Sequence, residues 1–320
     1  MGGGGGSYSD SYDRNVFKGK GSSGGFDYSD DSDRVFNGQS LHKDLNPFMR
    51  DIRCEHKNPI VVAVDVTGSM GDWTKIIYDK LPMFWGEMDK NAYLPDPSIC
   101  IVGVGDAYSD QAPLQVCDFA QGQAIDEEIA KLYLEGGGGG QSSESYELMA
   151  HYFSAHCDIS RSELSFFFLL EDEGVYPKLK RKQVEEVIGE SLPSDIPSEE
   201  IFQKISARFN FFVLHKPYDG GSDDAVCKKW KSLIGERFIE LKDPKACVDD
   251  MLGIISMISQ ARDLDSYAID MVNRGQSKSR IQEVTKALNP LAEKLALAKV
   301  DCFKDLGEAI RKNKGGADRL

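Results

Sequence analysis

Asp65, Thr67 and Ser69 alternate at the end of the apolar run Pro59-Ile60-Val61-Val62-Ala63-Val64, with Gly68 between the two hydroxyl residues. One carboxylate and two hydroxyls are three hard oxygen donors, a set that suits Mg2+, with Mn2+ or Ca2+ as alternatives. Gly68 lets the loop between them turn tightly. A plainer role for these residues is helix capping, for which Thr, Ser and Asp are all favoured; it accounts for one of the three positions. A second acidic point is Asp172, flanked by Glu171 and Glu173 at the end of the apolar run 164–170. A third loop follows the five glycines 136–140, where Gln141, Ser142, Ser143 and Glu144 each carry a side-chain oxygen. No Gly-Lys-Ser/Thr follows those glycines, so they do not form a phosphate-binding loop of the P-loop kind. Asp106, after Gly105, reads as a turn aspartate. His151, His156 and His215 lack metal-ligand spacing and read as ordinary core or surface residues. Lys178, Lys180, Arg181 and Lys182 read as a solvent-facing helix.

The apolar run before Asp65 is bounded by turn residues and reads as a strand buried on both faces of a parallel sheet. Trp73, Ile77, Leu81, Phe84 and Met88 recur at helical spacing, with Pro82 expected to kink that helix. Strands are expected at 98–104, 113–119 (as a hairpin with the preceding strand), 164–170, 209–214 and 237–241. Helices are expected at 125–134, from Tyr146 through Phe153 with Ser142 or Ser143 as N-cap, and at 178–190, 198–207, 225–234 and 246–259. Strands alternating with helices predict an α/β fold: a doubly wound, mostly parallel sheet with one antiparallel hairpin strand and helices on both faces. Such sheets bind ligands at the carboxyl ends of their strands, where the order reverses. Asp65 and Asp172 are both expected there.

Three segments follow. Residues 1–45 are rich in Gly, Ser, Asp and Tyr and are expected to be disordered. They hold a near-repeat, Tyr8-Ser9-Asp10-Ser11-Tyr12-Asp13-Arg14-Asn15-Val16-Phe17 and Tyr28-Ser29-Asp30-Asp31-Ser32-Asp33-Arg34-Val35-Phe36, which reads as low-complexity drift before it reads as a bivalent docking peptide. Residues 46–260 hold the α/β domain. Residues 261–320 form an amphipathic helical extension, broken at Asn289-Pro290 and frayed from Gly315-Gly316. With 320 residues and 41% hydrophobic composition a real core is expected. The net charge of −14 and pI of 4.9 disfavour nucleic acid and favour cations and basic surfaces. Seven scattered cysteines, none in C-x-x-C spacing, argue against a disulfide framework or a zinc site. No apolar signal core or membrane-length run is present, so a cytoplasmic, soluble protein is expected.

Asp65-Val66-Thr67-Gly68-Ser69-Met70 resembles the metal-ion-dependent adhesion site of von Willebrand factor type A domains, Asp-x-Ser/Thr-x-Ser. That resemblance implies that Asp65, Thr67 and Ser69 form the first metal loop and Asp172 the third-loop aspartate. In the second loop the family carries Thr or Asp; Gln141 aligns with it, and Ser142, Ser143 or Glu144 are the other candidates. More narrowly, the chain is similar to bacterial and phage-type von Willebrand A proteins of unassigned function. The similar stretches are His56-Lys57-Asn58-Pro59, Val102-Gly103-Val104-Gly105-Asp106, the five glycines with Glu144-Ser145-Tyr146-Glu147-Leu148, and Glu171-Asp172-Glu173-Gly174. It covers roughly residues 45–260.

What the resemblance implies is a Mg2+-dependent protein-binding module, not an enzyme, in which an Asp or Glu of the partner completes the ion's shell within an intracellular assembly. One alternative is a metal-assisted phosphohydrolase with Asp65 as nucleophile, although position 67, where haloacid-dehalogenase-type phosphatases carry a second Asp, is Thr. The other is a structural domain with a degenerate site.

Overall fold

The computed structural model describes residues 40–134, 143–217 and 223–314, with side chains through residue 296. Six strands form one sheet: β1 (Asn58–Asp65), β2 (Pro97–Val104), β3 (Leu114–Val116), β4 (Phe166–Glu171), β5 (Asn210–His215) and β6 (Phe238–Glu240). Their order is β6-β5-β4-β1-β2-β3; all neighbours are parallel except β2 and β3, which form the hairpin. The fold is therefore the doubly wound α/β architecture expected, and its order reverses between β1 and β4. Val64 of β1 pairs with Leu170 of β4, so Asp65 and Asp172 leave adjacent strands at the same edge.

Every residue of β1 is buried. Alternation sends Ile60, Val62 and Val64 to one face and Val61 and Ala63 to the other. The first face packs against α1 (Trp73–Lys90), and the second packs against α3 (Tyr146–Ala155), which follows the short α2 (Ala124–Ile129). Two covered faces are what let an unbroken apolar strand such as β1 exist. Beyond β4 come α4 (Arg181–Val187), α5 (Ser198–Arg208), α6 (Asp224–Ile234), α7 (Cys247–Ile258), α8 (Leu264–Asn273) and α9 (Lys278–Lys314).

Several expectations are corrected. The folded region starts before residue 46: Lys43–Leu45 form a 3-10 turn and Leu45 is fully buried. The near-repeat lies outside the described residues, as does Gly315-Gly316. Residues from 261 are not an appendage to a closed domain. Tyr267 and Met271 of α8 and Val284, Leu288 and Leu291 of α9 join the same core cluster as β1 and α1. α9 runs through Pro290 without a break, and α1, expected as one helix across Pro82, is continuous there too. A proline inside a helix removes one ladder bond, and the tertiary packing of these apolar faces outweighs it. Ser145, not Ser142 or Ser143, precedes α3; Ser143 and Glu144 instead pair with Gly174 and Val175. Cys54, Cys100, Cys117, Cys157, Cys227 and Cys247 are free thiols. Among the described residues no helix is long and apolar enough to cross a membrane.

Candidate metal centre

β1 ends in Asp65 because the next residues leave the sheet: Val66 still donates its N–H to Val104, and Gly68–Met70 then turn as a 3-10 helix. Gly71, at φ +55°, releases the chain from this turn into α1, a backbone conformation that a side chain would strain. Thr74 in the first turn of α1 donates its hydroxyl to the Asp65 carbonyl at 2.9 Å, so strand end and helix start are tied together.

Asp65 is wholly buried. Its Oδ1 accepts the Thr67 N–H at 2.7 Å and the Thr67 hydroxyl at 2.5 Å; its Oδ2 accepts the Tyr146 hydroxyl at 2.5 Å. Ser69 donates its hydroxyl to Asp172 Oδ1 at 3.0 Å. Thr67 Oγ1 and Ser69 Oγ lie 3.1 Å apart. A hydroxyl has one proton, and each of these two can spend it on a carboxylate. In that arrangement the two oxygens face one another with lone pairs only. Thr67 occupies the capping position of the 3-10 turn, yet its side chain makes no capping bond, so the plainer role does not describe it.

The electrostatics point the same way. Burial first, and the neighbouring Asp172 second, push Asp65 up to about 7 against the hydrogen bonds it accepts. Glu144 is driven up to about 10 by burial and by Asp65, Asp106 and Glu173. Glu173 rises to about 7 from burial and from Asp172 and Asp65. Among the described residues Glu144 Oε2 and Glu173 Oε2 are buried without a hydrogen-bond partner. Buried carboxylate oxygens of this kind cost free energy unless a proton or a cation satisfies them. Hard, underpaired carboxyl oxygens fit a divalent ion such as Mg2+ on donor chemistry, the ion taking the place of the protons that burial otherwise favours on them.

Two cationic side chains that sequence reasoning passed over stand beside the acids. Lys216, buried at the end of β5, donates from Nζ to Asp172 Oδ2 and to the Ser69 carbonyl, both at 3.1 Å. His215 Nδ1 lies 3.0 Å from Glu171 Oε1 and its Nε2 2.8 Å from Asp223 Oδ2. Burial opposes charge on His215, but the hydrogen bonds and charges of Glu171 and Asp223 outweigh it and push the imidazole up to about 9. The signal for both was positional, since His215 and Lys216 close a strand next to the one that ends at Asp172. Tyr146 was also missed as a site residue, because its place in the helical periodicity of α3 explained it already.

The structure thus brings Asp65, Thr67, Ser69 and Asp172 into one hydrogen-bonded cluster. Gln141 and Ser142 lie outside the described residues. Asp106 is more than a turn aspartate: besides the Tyr108 N–H and the Ser109 hydroxyl it accepts the hydroxyls of Ser145, at the start of α3, and of Tyr176, and its charge helps raise Glu144.

No family model matches the sequence, and no curated protein matches it. Solved structures match in part. A pilus adhesin, SpaC from Lactobacillus rhamnosus GG in its open conformation, is 11% identical over 65% of this chain and 31% of its own, with TM-score 0.44. Proximal thread matrix protein 1 from the mussel byssus is 11% identical over 64% and 48%, with TM-score 0.41. A von Willebrand factor type A structure from Catenulispora acidiphila is 15% identical over 67% and 48%, with TM-score 0.33. The chain spans a third to a half of the length of these structures.

Proposed function

We propose that this chain is an intracellular, von Willebrand A-like protein-binding module rather than an enzyme. In this reading Asp65, Thr67 and Ser69 hold Mg2+, with Asp172 behind them and Glu144 as the second-loop acid. When bound, the ion supplies a positive centre with residual charge that an Asp or Glu of a protein partner completes. The observation that carries this is the 3.1 Å contact between the Thr67 and Ser69 oxygens, each with a carboxylate within reach of its only proton. Tyr146 fixes the rotamer of Asp65 from the side away from Thr67. Lys216 and Ser69 orient Asp172 through different oxygens, so that aspartate is held to position water rather than left to swing.

Capture of partners from the source cell's extract tests the reading. It is run with Mg2+, with chelator, and with Asp65→Ala. Partners retained only by the unaltered chain in Mg2+ support it. Equal capture in all three conditions sinks it, and phosphate release from an aryl phosphate would revive the hydrolase.

A further inference from the structure

At the far end of α3 a second constellation forms that sequence spacing does not advertise. His151 and His156 are five residues apart, which on an ideal helix of 3.6 residues per turn would place them on different faces. His156 is the residue that closes α3, however, and its backbone has left helical geometry at φ −114°, ψ 13°. Its ring is thereby turned toward the same carboxylate that His151 reaches. His151 Nε2 lies 2.7 Å, and His156 Nε2 3.0 Å, from Glu190 Oε2. The donor atoms of all three side chains lie within 4.8 Å of one another. Asp51 Oδ1 sits 2.8 Å from His156 Nδ1.

Each part is held by the fold. Asp51 is placed by the short parallel pairing of Ile52–Arg53 with Cys157–Asp158, in which Ile52 donates its N–H to the His156 carbonyl at 2.9 Å. Glu190 follows Gly189, whose φ of +83° turns the chain after α4. That backbone conformation is what favours glycine there. Ile188 is anchored by the Met49 N–H at 2.7 Å. Three segments distant in sequence therefore meet around His156, whose Nδ1 faces Asp51 and whose Nε2 faces Glu190.

We propose that His151, His156 and Glu190 form a transition-metal site of the zinc class, with Asp51 orienting His156. Two imidazoles and one carboxylate are a donor set suited to Zn2+, with a fourth tetrahedral position left to water. A carboxylate on the far nitrogen of a ligating histidine fixes its tautomer and frees the other nitrogen for metal. Bonds of ~2.0–2.2 Å space tetrahedral ligand atoms by roughly 3.3–3.5 Å. The contacts to Glu190 Oε2 need open by only about half an ångström to admit the ion. Side-chain exposures of 31% for Glu190 and 22% for His156 leave a path from solvent. The site is separate from the Asp65 cluster. Tyr146 touches Asp65 at the first turn of α3, and His156 closes its last, about 15 Å along the axis at ~1.5 Å per residue.

The test uses the full chain, stripped of metal with chelator and titrated with Zn2+ in excess Mg2+, with a chromophoric chelator as competitor. One tightly held equivalent is expected, lost in both His151→Gln and Glu190→Gln, retained in Asp65→Ala, and weakened about 10- to 100-fold in Asp51→Asn. Melting curves of the stripped variants check folding. Glu190, partly exposed at a loop, is the position where substitution leaves the core untouched, and on it the outcome rests. Absence of zinc uptake by the unaltered chain overturns the proposal, as does an equivalent of unchanged affinity in a folded Glu190→Gln.

Discussion

Asp65→Asn should stabilise the metal-free protein at neutral pH while removing its response to Mg2+. Asp65 in the folded chain is raised from its ordinary 3.8 to about 7, chiefly by burial and by Asp172. A carboxyl whose folded value is raised binds more protons folded than unfolded, so stability falls as pH climbs from about 4 to 7 and is level above. At ~1.4 kcal/mol per pH unit, that rise makes the ionised side chain cost on the order of 4 kcal/mol above pH 7. Asparagine carries no such cost. Its Oδ1 can keep both Thr67 donors, and its amide can donate to the Tyr146 oxygen once that hydroxyl rotates. Some geometry is lost, so a gain of roughly 1–4 kcal/mol is expected at pH 8; at pH 5 it should be smaller by about 2.6 kcal/mol, the remaining cost there being that folding protonates a carboxyl that is ionised in the unfolded chain. Glu171 and Glu173, both raised to about 7 in part by the charge of Asp65, titrate in the same direction, so the difference between the two proteins reads Asp65 together with the relief it gives these two neighbours. Urea unfolding at both pH values, with chelator and with Mg2+, reads all of this. A variant less stable than the parent at pH 8 in chelator would refute the electrostatic reasoning. A variant that gains as much from Mg2+ as the parent would refute the assignment of the site.

Lys216→Met removes the ammonium from Asp172 and Ser69; leaving a buried charge unpaired should cost about 3 kcal/mol of metal-free stability, read by urea unfolding. The same variant should bind Mg2+ more tightly by calorimetry, because the site keeps its anions and loses its resident cation; weaker binding would contradict that. Tyr146→Phe withdraws a hydrogen bond from a charged acceptor and should cost about 1.5–3 kcal/mol at pH 8 and less at pH 5, measured by denaturation at both. Tyr267→Ala should cost roughly 3–5 kcal/mol by the same assay, as for a large buried side chain; a near-neutral result would mean that α8 is not part of the main core.

The residues that carry the candidate site were legible because chain chemistry and strand register coincide there. An apolar run must be a strand buried on both faces, and its first polar residues must then stand at the sheet edge. That reasoning placed Asp65, Thr67, Ser69 and Asp172 without any contact being known. It did not reach Lys216 or His215, whose significance depends on β5 lying beside β4, a pairing that periodicity does not encode. Pro290 misled because local propensity was weighed without the apolar face of α9, which holds that helix intact. The tail was read as an extension for a similar reason. Its amphipathic pattern shows one apolar stripe, and only the structure shows that Tyr267, Val284 and Leu288 turn that stripe onto the main core. His151 and His156 were set aside on spacing, and a single non-helical residue at the end of α3 changes which way the second ring points.

Isothermal calorimetry of the purified full chain with Mg2+, repeated with Mn2+ and with Asp65→Ala, tests the central claim most directly. The account predicts saturable uptake of one ion by the parent chain and none at this site in the variant. Heat of binding absent from the parent, or undiminished in Asp65→Ala, would contradict it.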